Sequence, residues 1–301
     1  CIHGQKSTFQ IVDDMRNSIL VILATALVMA GCTKTETQFK GTGKMRLAPC
    51  LPGTKATDTS FENGDAIGTY VVEYADGTPF PLQISGNWSS NAKATFDGSN
   101  WSVSPTIWWK DNAKFDVYAY YPYDEQQRSV DSYLFSVQKD QRDAGFTKSD
   151  LMWAKTGGVT RSENPVTLNF SHKLSRLDIN LIKGADYEGD LPSEVEVKVM
   201  GTTGTALLDI ETGDVEKNPY GTEAGIIAHK NGIGSYSAII VPQKILNQIP
   251  LVEIVAGDVS YLVSSRFIFE SGKRHTLNIT LSSDPNKVII NIGGGIEDWN
   301  S

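Results

Sequence analysis

The residue with the most definite chemistry is Cys32. It closes a segment that begins Met15-Arg16-Asn17, runs through about ten apolar residues and ends Met29-Ala30-Gly31-Cys32. One positive charge, a short apolar run and small residues directly before a thiol make a secretion signal. The run is too short for a spanning helix, which needs roughly 20 apolar residues. The order matches a bacterial lipobox. The thiol would take a diacylglycerol, the signal at 15–31 would be cut before Cys32, and the new amino terminus would be acylated in turn. Two or more acyl chains hold a protein to a bilayer stably, whereas one holds it only marginally. The alternative is a plain secretory signal whose cleavage point happens to precede a cysteine.

A second group that could do chemistry is aromatic. Trp101, Trp108 and Trp109 precede Tyr118, Tyr120, Tyr121 and Tyr123. Exposed on a sheet, such rings could stack on sugars; on alternating strands they more often pack a core. His172, His229 and His275 lie far apart without metal-ligand spacing, so no metal and no cofactor is expected. Gly41-Thr42-Gly43-Lys44 is too short for a phosphate-binding loop, and Gly293-Gly294-Gly295 opens no helix. Neither Gly-x-Ser-x-Gly nor His-Glu-x-x-His occurs. No catalytic residue stands out, and the expectation is a protein that is not an enzyme.

The elements that must carry these residues are strands. Phe115, Val117, Ala119 and Tyr121 alternate with Lys114, Asp116, Tyr118 and Tyr120. The same period of two runs through Leu177–Leu181, Val195–Val199 and Leu277–Leu281. Strand side chains point alternately to opposite faces, so each segment is predicted to have one core face and one wet face. Turn signals such as Asp76-Gly77, Asp97-Gly98, Gly213-Asp214, Asn231-Gly232 and Ser271-Gly272 separate them. No stretch after Cys32 keeps helical spacing for more than about two turns; Ser149–Lys155 and Gln243–Gln248 come nearest. The fold class expected is all-β, built from antiparallel sandwiches.

Length and charge fix the organisation further. Residues 1–14 start with Cys1 and carry Asp13-Asp14 ahead of the signal, so they read as upstream sequence with Met15 as the start. Residues 32–43 read as a polar tether. What remains suits two domains of ordinary size. An aromatic-rich part at 44–170 precedes a Val/Ile/Leu-rich part at 171–301. The formal charge is −8, from 27 basic and 35 acidic residues without long runs of one sign. That argues against a nucleic-acid partner. Of the three cysteines only Cys50 would remain as a free thiol, so cross-links would not stabilise the exported form.

Taken in order, several short motifs resemble those of the fimbrillin family of Bacteroidetes, the FimA/Mfa-like type V pilus lipoproteins. Thr54-Lys55-Ala56 followed by Phe61 and Gly64-Asp65-Ala66-Ile67-Gly68 is similar to the family's opening motif. Ile107-Trp108-Trp109, Tyr118-Ala119-Tyr120-Tyr121-Pro122-Tyr123, Asp140-Gln141 and Asp150-Leu151-Met152-Trp153 come next. Phe170-Ser171-His172-Lys173-Leu174, Val241-Pro242-Gln243, Ser271-Gly272-Lys273-Arg274-His275 and Glu297-Asp298-Trp299 complete the series.

The resemblance implies two transthyretin-like sandwiches in tandem, export as an outer-membrane lipoprotein, and a place in a cell-surface fimbria that supports adhesion. It further implies removal of the lipidated leader by a trypsin-like protease, with a neighbouring subunit's strand filling the opened groove. Lys44–Leu51 would be the removable strand. Lys55, where the family more often has Arg, would be the processing point, with Arg46 as a basic alternative inside the strand. The tail Lys287–Ile292, with Val288, Ile290 and Ile292 on one face, would be either the donated strand or simply the last strand of its own domain. Partners would be other fimbrial subunits and a host or bacterial surface ligand. The competing reading is a surface or periplasmic lipoprotein that never polymerises and holds carbohydrate on Trp101, Trp108 and Trp109.

Overall fold

A computed structural model describes residues 43–51 and 60–299. The signal, Cys32 and Lys55 lie outside these described residues. In chain order the first part contains β1 (Leu47–Cys50), β2 (Ala66–Ala75), β3 (Thr78–Pro79), β4 (Ser89–Phe96), β5 (Trp101–Ser104) and β6 (Lys114–Tyr121). Then come β7 (Tyr133–Ser136), the one-turn helix α1 (Ala144–Lys148), β8 (Met152–Thr160), β9 (Val166–Asn169) and β10 (Ser171–His172). One sheet runs in the order β10-β8-β6-β2-β4-β5, with β3 hanging from β2. β1 and β9 form a separate two-stranded parallel ladder across its inner face.

The chain continues through β11 (Ser175–Lys183), β12 (Val195–Thr203), β13 (Thr205–Leu208), β14 (Val215–Lys217) and β15 (Glu223–Ile227). It ends with β16 (His229–Gly232), β17 (Ser235–Ile240), β18 (Gln243–Ala256), β19 (Val259–Phe269), β20 (Lys273–Leu281) and β21 (Ile289–Asp298). Two sheets result, β16-β17-β11-β20-β21 and β15-β12-β18-β19. Their inner faces meet through residues such as Leu177, Ile179, Ile254 and Leu277, all fully buried. A small third sheet, β14-β13-β7, pairs strands from both parts of the chain. Strand pairs are antiparallel except β1 with β9 and β11 with β20. The all-β sandwich class therefore holds.

One expectation changes. β6 has no wet face: Asp116, Tyr118 and Tyr120 are as buried as Phe115, Val117 and Ala119. The inner side packs the core under β1 and β9, with Ile67, Val71 and Phe170. On the other side, Tyr70, Tyr118 and Tyr120 join the larger core shared with β7, β13 and the second pair of sheets. A sheet covered on both faces needs apolar bulk in both phases of the alternation, and the tyrosines supply it while their hydroxyls find partners. Tyr70 donates to Gln127 at 2.5 Å, and Tyr120 donates to Asn91 at 2.8 Å. Gln141, fully buried ahead of α1, acts as a polar clamp: its side chain donates to the Ile239 carbonyl and accepts from the Ile239 amide, both at 2.7 Å.

The sheets of the second part also bury a charge. Asp178 accepts from Arg176 Nε at 2.9 Å and from Ser237 Oγ at 2.6 Å, and Arg274 donates to its second oxygen. Burial pushes the Asp178 carboxyl up, but the Arg176 charge, the Ser237 hydroxyl and Arg274 together hold it below the ordinary carboxylate value. A carboxylate lowered on folding stabilises the fold above its unfolded pKa, and that stability is lost as pH falls through the folded value. Thermal melts taken from about pH 6 down to about pH 3 should fall more steeply for the native chain than for Asp178→Asn. At neutral pH the variant should already be less stable by about 3 kcal/mol, because two guanidinium groups lose their counter-charge. Parallel curves would show that the cluster is not coupled to folding.

Candidate functional site

β1 is short, begins near the start of the described chain, and is held from both sides. On one side the chain between Gly43 and Met45 runs antiparallel to Ile107–Trp109. The Met45 amide donates to the Ile107 carbonyl at 2.9 Å, and the Trp109 amide donates to the Gly43 carbonyl at 2.8 Å. On the other side β9 runs parallel in the register Leu47 with Val166 to Cys50 with Asn169. There the Val166 amide donates to the Arg46 carbonyl at 2.8 Å, and the Phe170 amide donates to the Cys50 carbonyl at 2.9 Å. Pro49 has no amide hydrogen and so suits a strand bonded in this uneven way.

The alternation Met45, Leu47, Pro49 drives the first two side chains inward. Met45 and Leu47 are buried against the core that includes Ile107, Val166, Leu168 and Phe170. Each contributes roughly 1.5–3 kcal/mol of apolar burial. Removing β1 would uncover the β9 face and leave the Val166 and Phe170 amides and the Ile107 carbonyl without their partners. A different chain with two apolar residues at alternate positions and a free backbone could make the same contacts.

Arg46 is poorly placed for cleavage while this strand is seated. Its flanking side chains are buried, its carbonyl is in the ladder, and its guanidinium donates to the Glu163 carbonyl. Sequence reasoning placed the strand correctly along the chain but gave no hint that its partner would be β9, more than a hundred residues away.

The tail is seated differently. β21 pairs antiparallel with β20, Ile290 opposite Ile279, and Val288 and Ile290 pack on the larger core. Beyond it, buried Trp299 stacks on His172 with ring centres 4.0 Å apart and planes 2° apart. His172 Nδ1 in turn lies 2.8 Å from Asp150. Of the two readings of the tail, this state shows the last strand of its own sheet. The other histidines are separate: His275 is buried, which lowers its pKa although Glu270 opposes the shift, and the His229 ring lies 5.3 Å from Phe146. Among the described residues no three His, Cys, Asp or Glu side chains are placed to hold a metal.

The three tryptophans do not share a face. Trp101 meets Phe61 edge-on at 4.9 Å and Phe96 at 5.2 Å, so it serves packing. Trp109 is partly buried beside Phe115. Trp108 alone stands out, 51% exposed, with Lys44 Nζ 5.5 Å from its ring centre. The exposed partner that sequence reasoning missed is Trp88, whose indole N–H donates to the Trp108 carbonyl at 2.8 Å. Phe80 was missed as well. Its position between Pro79 and Pro81 was the available signal, since a ring between two prolines is rarely part of a central strand.

Comparison with known proteins agrees with this architecture. The profile of a family described as "Fimbrillin-like" matches residues 54–299. A Bacteroides uniformis protein named as a fimbrium subunit, Fim1C, is 28% identical over 93% of this chain and 94% of its own length. A Bacteroides ovatus protein named as a fimbrium tip subunit is 25% identical over 72% of this chain and 47% of its own length. Among solved structures, a protein of Bacteroides uniformis described as a cell adhesion protein has a TM-score of 0.66 at 24% identity, over 85% of this chain and 98% of that one. Another from Bacteroides ovatus, with the same description, reaches 0.69 at 20% identity over 85% and 97%. These two likenesses bear on the fold alone.

Proposed function

Since the chain belongs to the fimbrillin-like family, we propose that it is a fimbrial subunit in which β1 is the strand exchanged on assembly. The observation that carries this reading is the seat of β1, held by backbone bonds to Ile107–Trp109 and β9 and by two buried side chains. In the proposed sequence the chain is exported as a lipoprotein through Cys32 and reaches the outer membrane. A trypsin-like protease then cuts at Lys55, releasing the lipidated leader with β1. Lys55 is preferred over Arg46, which is locked in the ladder. A strand from another subunit enters the vacated groove and builds a fimbria on the cell surface, where it supports adhesion. The role is structural, not catalytic.

The same reading divides the chain into two transthyretin-like sandwiches, 44–170 and 171–301. Sheet membership supports a division close to this point: apart from β7, the strands up to β10 pair only among themselves, with β10 (Ser171–His172), just past the proposed boundary, still joined to β8. A sugar-binding lipoprotein that works through Trp101, Trp108 and Trp109 has less support, because two of the three rings are engaged in packing. Lipid attachment is tested separately. Cells producing Cys32→Ser should incorporate no labelled palmitate into the protein, and continued labelling would remove the lipoprotein step.

A further inference from the structure

Two large aromatic side chains flank a cleft of about 320 Å³ on the first sandwich: Phe80, 54% exposed, and Trp88, 41% exposed. Apolar rings left in water around a concave site mark a place that gains by being covered. The cleft is also rigid. Trp88 is fixed by its bond to the Trp108 carbonyl and by the buried Phe115 ring 5.7 Å away. The loop below is closed by Asn87, which accepts from the Gln83 amide at 3.1 Å and donates to the Gln83 carbonyl at 2.5 Å. The Phe80 amide donates to the Glu73 carbonyl at 3.0 Å. A ligand would meet a surface that needs little ordering.

Charge decides what kind of ligand. Lys110 Nζ lies 2.5 Å from Glu73 Oε1 and 5.7 Å from the Trp88 ring centre. The ammonium and the carboxylate cancel, so a charged ligand would have to compete with an existing partner. A neutral molecule with one apolar face and a rim of hydroxyls does not. Its C–H face can lie on the part of Trp88 that Lys110 and Phe115 leave open, and its hydroxyls can reach the Gln83 side chain and the outward side of Lys110. We propose that this cleft binds a neutral saccharide, one pyranose ring stacked on Trp88 with Phe80 beside it. A proline-rich peptide could also use an aromatic groove, but it would offer few donors to the amide and the ion pair. The site is complete in the uncut monomer, and its Trp88 anchor, the Trp108 carbonyl, lies in the segment that pairs with Gly43–Met45.

The test is titration of the uncleaved full chain with maltotriose, cellotriose, chitotriose and lactose, read by saturation-transfer NMR and calorimetry. At least one of these is expected to bind with a dissociation constant of about 1 mM or tighter. Phe80→Ala, an exposed change that should leave the melting temperature in place, and Trp88→Phe should each weaken that binding about tenfold. The proposal is overturned if none of the four binds. It is equally overturned if sialyllactose or an oligoproline peptide binds in their place, or if both variants bind as the native chain does.

Discussion

Cutting the folded chain after Lys55 and withdrawing Gly43–Leu51 is expected to turn a stable monomer into a ladder of SDS-resistant oligomers. The size of the effect follows from what the strand covers. Met45 and Leu47 together contribute roughly 3–6 kcal/mol of burial as an upper estimate. The backbone bonds of Met45 to Ile107, Trp109 to Gly43, Val166 to Arg46 and Phe170 to Cys50, with the β1–β9 ladder besides, add about 1 kcal/mol each. Such a sum is comparable with the whole stability of an ordinary domain, about 5–15 kcal/mol. The opened groove is therefore unstable when empty; it is refilled or the first part of the chain loosens and unfolds. Adding a synthetic peptide of residues 43–51 in excess during cleavage should keep the chain monomeric, whereas the same peptide with Leu47→Asp should not. A cleaved chain that stays monomeric and folded with no peptide bound would mean that β1 is dispensable.

Pinning β1 should abolish assembly completely and reversibly. Cys50 and Asn169 are opposite one another in the parallel ladder, and Asn169 is exposed while its neighbours Leu168 and Phe170 are buried. Partners on adjacent strands lie within the Cα separation that a disulfide spans, about 4.4–6.8 Å. In a chain expressed from Thr33, Cys50 is the sole cysteine, so Asn169→Cys would offer it a single partner. Oxidation should give one cross-linked species that remains monomeric after cleavage at Lys55, because the leader stays attached through the bridge. Reduction should release the leader and restore the ladder. Oligomers forming equally well in the oxidised state would place the exchanged strand elsewhere in the molecule.

How much of this could be read from the sequence depends on the range of the interaction. The all-β class was legible because the period of two is local. Lys44–Leu51 was placed as a strand through the family resemblance rather than through a local period. Its pairing with β9 was not legible, since register across so long a separation leaves no local mark. β6 was misjudged on one face because tyrosine suits both a wet and a covered surface, and only the second layer of packing distinguishes them. Gln141 entered the sequence reading only within the Asp140-Gln141 motif, and nothing local marks it as fully buried and satisfied by one backbone unit of β17. The tryptophans show the same limit. Exposure depends on which neighbours arrive, so Trp101 and Trp109 were indistinguishable from Trp88 and Trp108 until the core beneath them, with Phe61 and Phe96 around Trp101, was in place.

Strand exchange is tested most directly by hydrogen exchange at β9. The Val166 and Phe170 amides are bonded to Arg46 and Cys50 of β1, so their protection reports whether a strand occupies that edge. Exchange followed by mass spectrometry over residues 164–170 should be slow in the uncut chain, fast in the cleaved monomer held apart by dilution, and slow again in the assembled fimbria with the leader peptide gone. Fast exchange in the fimbria, or a leader still bound there, would contradict assembly through this groove.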